Sequence, residues 1–150
     1  MSNTNLSDVR MAAQDIREPM LTLLHTLLNS SMNKEIVRFG IPRGTGNTTL
    51  GCDIAVRLAA LGHRVLFIAS SDTAAKWAKD LIMPQSHRAG GLYGDATLQR
   101  VKVLPFFPSD VTLYRGLKYD VVICDSVPAT YVKHLNLVHD AKLYLEIGGV

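Results

Sequence analysis

The feature that most constrains this chain is a glycine-rich turn, Gly44-Thr45-Gly46, set between two apolar segments of different period. Ile36 to Ile41 is a short run rich in β-branched and aromatic residues, as a strand requires. Thr49 to Leu61 carries Leu50, Ile54, Leu58 and Leu61 at helical spacing, and Gly62 stops it. A strand, a glycine-rich turn and a helix in that order place backbone N–H groups and the positive end of a helix dipole together. That combination can cradle an anion.

The remaining chain reads as a sheet assembled around this turn. Val9, Ala12, Ala13, Ile16, Met20, Leu23, Leu24, Leu27 and Leu28 repeat at three and four residues, predicting a helical segment over 7–29. Ser7 is its candidate cap, and Pro19 makes it either one kinked helix or two short ones. Arg64 to Ala69 is a nearly continuous apolar run, expected of a parallel strand covered on both faces. A helix follows from Ser70-Ser71-Asp72, with Ala75, Ala78, Leu81 and Ile82 as its stripe, Trp77 packing at its edge and Pro84 closing it. Residues 84–96 read as a long surface loop. Val101 to Phe106 is a third strand, Ser109 to Leu117 a short helical turn, and Val121 to Asp125 the most strand-like stretch. Ala129 to Val138 is a weak helix and Lys142 to Ile147 a last strand. Strands alternating with helices predict an α/β fold, a three-layer αβα sandwich on a mainly parallel sheet, in a single domain over 1–150.

Composition fits that reading. The chain is 47% hydrophobic and 19% charged, which is globular rather than disordered. A net charge of +3 permits an anionic partner without requiring one. Cys52 and Cys124 stand far apart in predicted core elements and read as buried small hydrophobes. The amino-terminal residues lack a basic leader pattern, and no apolar run reaches membrane-spanning length, so a cytoplasmic setting is expected.

Three features add chemistry to the turn. Thr48 follows Gly46 by two residues, where its hydroxyl can reach a bound magnesium ion. The helix beginning near Asn47 directs its positive end at the turn. Asp125 ends a downstream strand, and in a parallel sheet that end can lie beside the turn.

On these residues the chain resembles the P-loop NTPases over about residues 36–150, and more narrowly the RecA-like cores of helicases and phage terminase large subunits. Ile41 to Thr49 is similar to a Walker A motif, and Arg115 to Asp120 running into Val121–Asp125 to the approach to Walker B. Arg64 to Ser71 resembles the strand that approaches nucleic acid in helicases, and Lys142 to Gly149 the strand that couples sites in motors. The departures are specific. Ile41 replaces the first glycine of Walker A, Asn47 replaces its lysine, and Ser126 replaces the glutamate after the Walker B aspartate. Asn47 brings no positive charge to the phosphates, and Ser126 is a poor general base for water.

The resemblance implies ATP and Mg2+ as cofactors, a nucleotide site of Arg43, Gly44, Thr45, Gly46, Asn47, Thr48 and Thr49, and a metal site of Thr48 and Asp125. Arg43 and Asp125 are its candidate catalytic residues. Arg43 is basic early in the loop, as in terminases that lack the usual lysine. The departures imply a small viral protein that acts mainly by binding nucleic acid or a replication, packaging or defence protein of virus or host, in the host cytoplasm. A homo-oligomer, with an arginine supplied in trans, is a further expectation. The alternative is a weak or partner-activated Mg-dependent NTPase using Arg43, Thr48 and Asp125. A retained scaffold is the plain competitor, with Asn47 only capping the helix.

Arg88, Arg115 and Lys118 are candidate contacts for a polyanion, and each also suits an ordinary solvated surface. Phe106 and Phe107 are either core residues or a stacking platform for bases. His25, His63, His87, His134 and His139 show no metal-ligand spacing and read as structural or solvent-facing.

Overall fold

The computed structural model describes residues 17–30, 35–40, 47–88, 95–106, 117–135, 138–139 and 141–148. The order is α1 (Arg17–Leu28), β1 (Glu35–Phe39), α2 (Asn47–Ala60), β2 (Val65–Ala69), α3 (Asp72–Arg88), α4 (Asp95–Leu98) and β3 (Val101–Pro105). Then come β4 (Leu117–Lys118), β5 (Val121–Asp125), α5 (Ala129–Leu135), β6 (Val138–His139) and β7 (Leu143–Ile147). Five strands form one sheet in the order β1-β7-β5-β2-β3, parallel at every pairing. The short strands β4 and β6 pair separately, also in parallel.

Strand alternation divides the core in two. Phe67, Ala69, Val103, Ile123, Leu143, Leu145 and Ile147 face α1, α2 and α3, which present Leu24, Leu28, Ile54, Leu58, Ala75 and Ala78. Leu66, Ile68, Val122, Cys124 and Tyr144 face the other way, against Val127, Ala129 and Val132 around α5. All five residues of β2 and of β5 are buried, so these strands lack polar alternation for the reason expected of a sheet covered on both faces. The chain crosses from β1 to β2 and β3 with its helices on one face, then returns through β5 to β7 with α5 on the other. In sheets wound with such a reversal, ligands are held at the carboxyl ends of the strands.

Several local expectations change. Pro19 lies in the first turn of α1 as described, where a missing N–H costs nothing; the residues that decide between one kinked helix and two short ones lie outside the described residues. Pro84 does not close α3, which continues to Arg88. A proline removes one i to i−4 bond yet has a helical φ, and Ala75, Ala78 and Ile82 already anchor the helix on the sheet. The loop expected over 84–96 shrinks accordingly, because Asp95–Leu98 is helical as well. Trp77 does not pack at the edge of α3; it is 55% exposed, because the buried stripe of α3 lies on its other side. Of the turn expected over 109–117, residues 109–116 lie outside the described residues and Leu117 opens β4; the Ser7 cap and Phe107 also lie outside them. Phe106 lies half-buried, edge-on to Tyr131.

Gly62 ends α2 as the sequence predicts, with φ of 100° and its N–H donating to Ala59 O at 3.0 Å. Cys52 and Cys124 are buried and unbridged. Burial pushes the Cys52 thiol up to about 12, with Asp125 and Asp53 adding to the rise, and it also raises Cys124. Neither is a nucleophile at neutral pH. Among the described residues, no helix is long and apolar enough to cross a membrane.

Candidate functional site

The first turn of α2 meets the carboxyl end of β5. Gly51 makes the approach possible. A Cβ at this position would stand 3.0 Å from Phe67 Cε2 and 3.5 Å from Ile147 Cδ1, so only a residue without a side chain lets the helix lie this low. Thr48 precedes Gly51 by one turn and shares its face. Its hydroxyl donates to Asp125 Oδ2 at 2.7 Å, joining residues 77 positions apart in sequence.

Asp125 is the one polar or charged residue among the fully buried described residues, at 4% exposure. Burial raises its carboxyl above the usual range, and the Thr48 hydrogen bond partly offsets that rise. A buried acid whose one donor among the described residues is a hydroxyl costs stability, which is a usual mark of a group kept for its chemistry.

The segment after Asp125 is firmly positioned. Ser126 adopts φ of 58°, unusual for a residue with a Cβ, and its N–H donates to Ile147 O at 2.9 Å. The Glu146 carboxylate accepts the Ala129 N–H at 2.6 Å at the start of α5. Arg38 pairs with Glu146 at 3.7 Å and hydrogen-bonds Thr130. Gly148, with φ of 94°, donates its N–H to Phe39 O at 3.0 Å and ties the end of β7 to that of β1. Ser126, Val127, Pro128, Glu146 and Gly148 line a cavity of about 180 Å³ at these strand ends.

The structure therefore brings two of the sequence candidates, Thr48 and Asp125, into direct contact. Asn47 opens α2, and Thr49 is exposed beside Thr48. Arg43, Gly44, Thr45, Gly46 and Arg115 lie outside the described residues. Arg88 ends α3 and Lys118 precedes β5, so both belong to the opposite, amino-terminal end of the sheet and do not join Asp125. Lys118 is exposed there.

A hydroxyl and a carboxylate are hard oxygen donors and suit a hard divalent cation that retains water in its shell. They do not make a cage: among the described residues no group of three or more His, Cys, Asp or Glu converges on a point. The donor set thus fits Mg2+ held jointly with a ligand's oxygens and does not fit a structural zinc ion.

One cluster was not legible in the sequence. His25 of α1 meets His63 of the turn after α2, with Nδ1 and Nε2 3.3 Å apart and the rings edge-on. Asn29 bonds the far nitrogen of His25 at 3.1 Å, and Asp120 lies 3.9 Å from His63 Nδ1. Burial lowers the pKa of His63, and Asp120 opposes that shift. The two histidines are 38 residues apart and share no motif, so no sequence signal pairs them.

Comparison of the chain with models of protein families and with curated proteins gave no match.

Proposed function

We propose that this chain is a P-loop-like domain of the RecA type whose motifs have lost efficient phosphoryl-transfer chemistry, and that it acts mainly by binding nucleic acid or a protein partner. The observation that carries this reading is the 2.7 Å hydrogen bond from Thr48 to Asp125, which joins the start of the helix after the glycine turn to the end of a buried strand. Strand order and the parallel sheet are compatible with it. The glycine turn with the α2 amino terminus would take the phosphates. Thr48 and Asp125 would hold Mg2+, which when bound would screen the phosphate charge.

The case against efficient turnover rests on residue chemistry. Asn47 supplies no cation, and Ser126, exposed beside Asp125, supplies a hydroxyl where a base is needed. Asp125 itself is committed to Thr48.

The second reading is a weak or partner-activated Mg-dependent NTPase. Retention of a buried, destabilising acid at position 125 favours it, with Arg43 as the available cation.

Calorimetric titration of the full chain with ATP, with and without Mg2+, tests the shared premise. Binding that requires Mg2+ and is lost in Thr48→Val and Asp125→Ala is expected. Equal binding by both variants removes the premise. Phosphate release separates the two readings: robust release abolished by Asp125→Ala replaces the binding protein with an enzyme.

A further inference from the structure

We infer that His25 and His63 form a proton-operated latch: α1 stays fastened to the turn after α2 through the first added proton, and its carboxyl-terminal end comes free on the second. The chain of contacts fixes where the hydrogens sit. Asn29 Nδ2 lies 3.1 Å from His25 Nε2. An amide nitrogen only donates, so His25 Nε2 accepts and the proton of the neutral ring sits on Nδ1. That N–H points at His63 Nε2, 3.3 Å away, which accepts in turn. The proton of neutral His63 is then on Nδ1, 3.9 Å from Asp120 Oδ2. A carboxylate favours an N–H over a lone pair at that place, so the Asn29 and Asp120 ends impose the same direction. Asp120 is itself held by the Arg64 N–H, which it accepts at 3.0 Å.

Protons taken up from solvent then have an order. Two ring nitrogens still carry lone pairs, His25 Nε2 and His63 Nε2. A proton on His25 Nε2 needs only a half-turn of the Asn29 amide, which then offers its oxygen. The bond from His25 Nδ1 to His63 survives and becomes charge-assisted. A proton on His63 Nε2 instead sets N–H against N–H and, once His25 is charged, cation against cation across 3.3 Å. The bond does not persist in that state. Burial lowers the pKa of His63, Asp120 raises it, and His25 and Lys142 lower it further, which makes the charging of His63 the late step. Arg64, next in the chain, turns its guanidinium over the Tyr119 ring, 5.3 Å from the centroid.

The place of the latch decides what moves. His25 is in the last turn of α1, which also carries the buried Leu28. The other end of α1 has separate ties, Arg17 to Asp53 at 3.4 Å and Glu18 to Arg57. Neither tie involves a histidine. The second proton therefore loosens the carboxyl-terminal turn of α1 and leaves the amino-terminal turn bound. In the chain α1 is followed by β1, the strand that leads to the glycine turn. His63, Asp120 and Lys142 precede β2, β5 and β7, at the opposite end of the sheet from Thr48 and Asp125, so the inference does not rest on the nucleotide reading.

Nitrogen-15 NMR of the histidine rings in the full chain reads the hydrogen positions directly. At pH 8 both rings are expected as the Nδ1–H tautomer, which free histidine does not prefer. On acidification His25 is expected to titrate first. Amide exchange protection from His25 to Asn29, corrected for its intrinsic pH dependence, should hold through that step. It should then fall about tenfold or more as His63 charges, while Ala78 and Ile82 of α3 keep theirs. Asp120→Asn keeps an oxygen for the Arg64 N–H but removes the charge, and is expected to move the loss of protection to lower pH. An Nε2–H tautomer on either ring at pH 8, or protection lost with the first proton, overturns the inference. So does protection kept after both rings are charged, a loss shared by α3, or an Asp120→Asn variant that opens at the same or a higher pH.

Discussion

Gly51 and Phe67 stand so close that a single added carbon on Gly51 would sit 3.0 Å from the Phe67 ring. Phe67 is fully buried, so its ring can give way only by displacing core neighbours. Gly51→Ala gains about 1 kcal/mol of helix propensity and loses about 1–3 kcal/mol to overpacking. The net expectation is a loss of about 1 kcal/mol in urea unfolding, with α2 lifted from the sheet and the contact between Thr48 and Asp125 lengthened. A raised unfolding midpoint would show that Phe67 yields.

Asp125 gives a prediction with a definite pH sign. Its pKa is raised in the folded chain, from an ordinary 3.8, so the folded state holds a proton that the unfolded state releases. Stability from this group is fully present below about pH 3.8 and is lost as pH rises through the folded pKa. Asp125→Asn should therefore be more stable than the parent at neutral pH, with a flatter pH profile above 4. Thr48→Val removes the only described donor to the carboxylate and should cost about 1–3 kcal/mol at neutral pH. Urea titrations across pH 4–8 check both; a parent chain more stable than Asp125→Asn at pH 7 contradicts the assignment.

The His25–His63 contact predicts the opposite slope. His63 is lowered from 6.5 in the folded chain, so on acidification the unfolded state takes up a proton first. The contribution is intact above about pH 6.5 and erodes as pH falls from there toward the lower folded pKa. The charged groups facing the pair are Asp120 at the start of β5 and Lys142 before β7, with Asp120 favouring protonation and Lys142 opposing it. His63→Gln is expected to flatten the acid limb of the stability profile. Proton NMR titration of the His63 ring gives the direct readout, and a midpoint at or above 6.5 rejects the prediction.

Ser126 carries backbone strain at φ of 58°. Ser126→Gly should be neutral to stabilising by up to about 1 kcal/mol, since glycine adopts this conformation freely. Ser126→Val should be destabilising by about 1–2 kcal/mol, because a β-branched residue fits it poorly. Thermal unfolding of the pair separates conformational strain from any loss of the hydroxyl, which both variants lack.

The sequence made the elements legible where local pattern alone determines them. β2 and the run of β5 up to Asp125 announce themselves because strands buried on both faces are almost wholly apolar, and Gly62 because a left-handed helix end favours glycine. Thr48 and Asp125 were recognisable as candidates from their places beside a turn and at a strand end. Their contact depends on strand order, which no local pattern encodes. Trp77 and Pro84 misled for a related reason. Residue type says what a side chain prefers, while the packing of Ala75, Ala78 and Ile82 decided which face of α3 is buried.

Strand β7 lies between β1 and β5, pairing Glu35 with Leu143 on one side and Val121 with Leu143 on the other. During synthesis β1 emerges before the other strands of the described sheet, and its sheet partner follows only after all of them. Helix α2 can settle on β2 and β5 well before then. The strand that leads into the glycine turn must wait for residues 143–147 before it can join the sheet. A chain interrupted before β7 would keep much of its core and leave β1 without its described sheet partner.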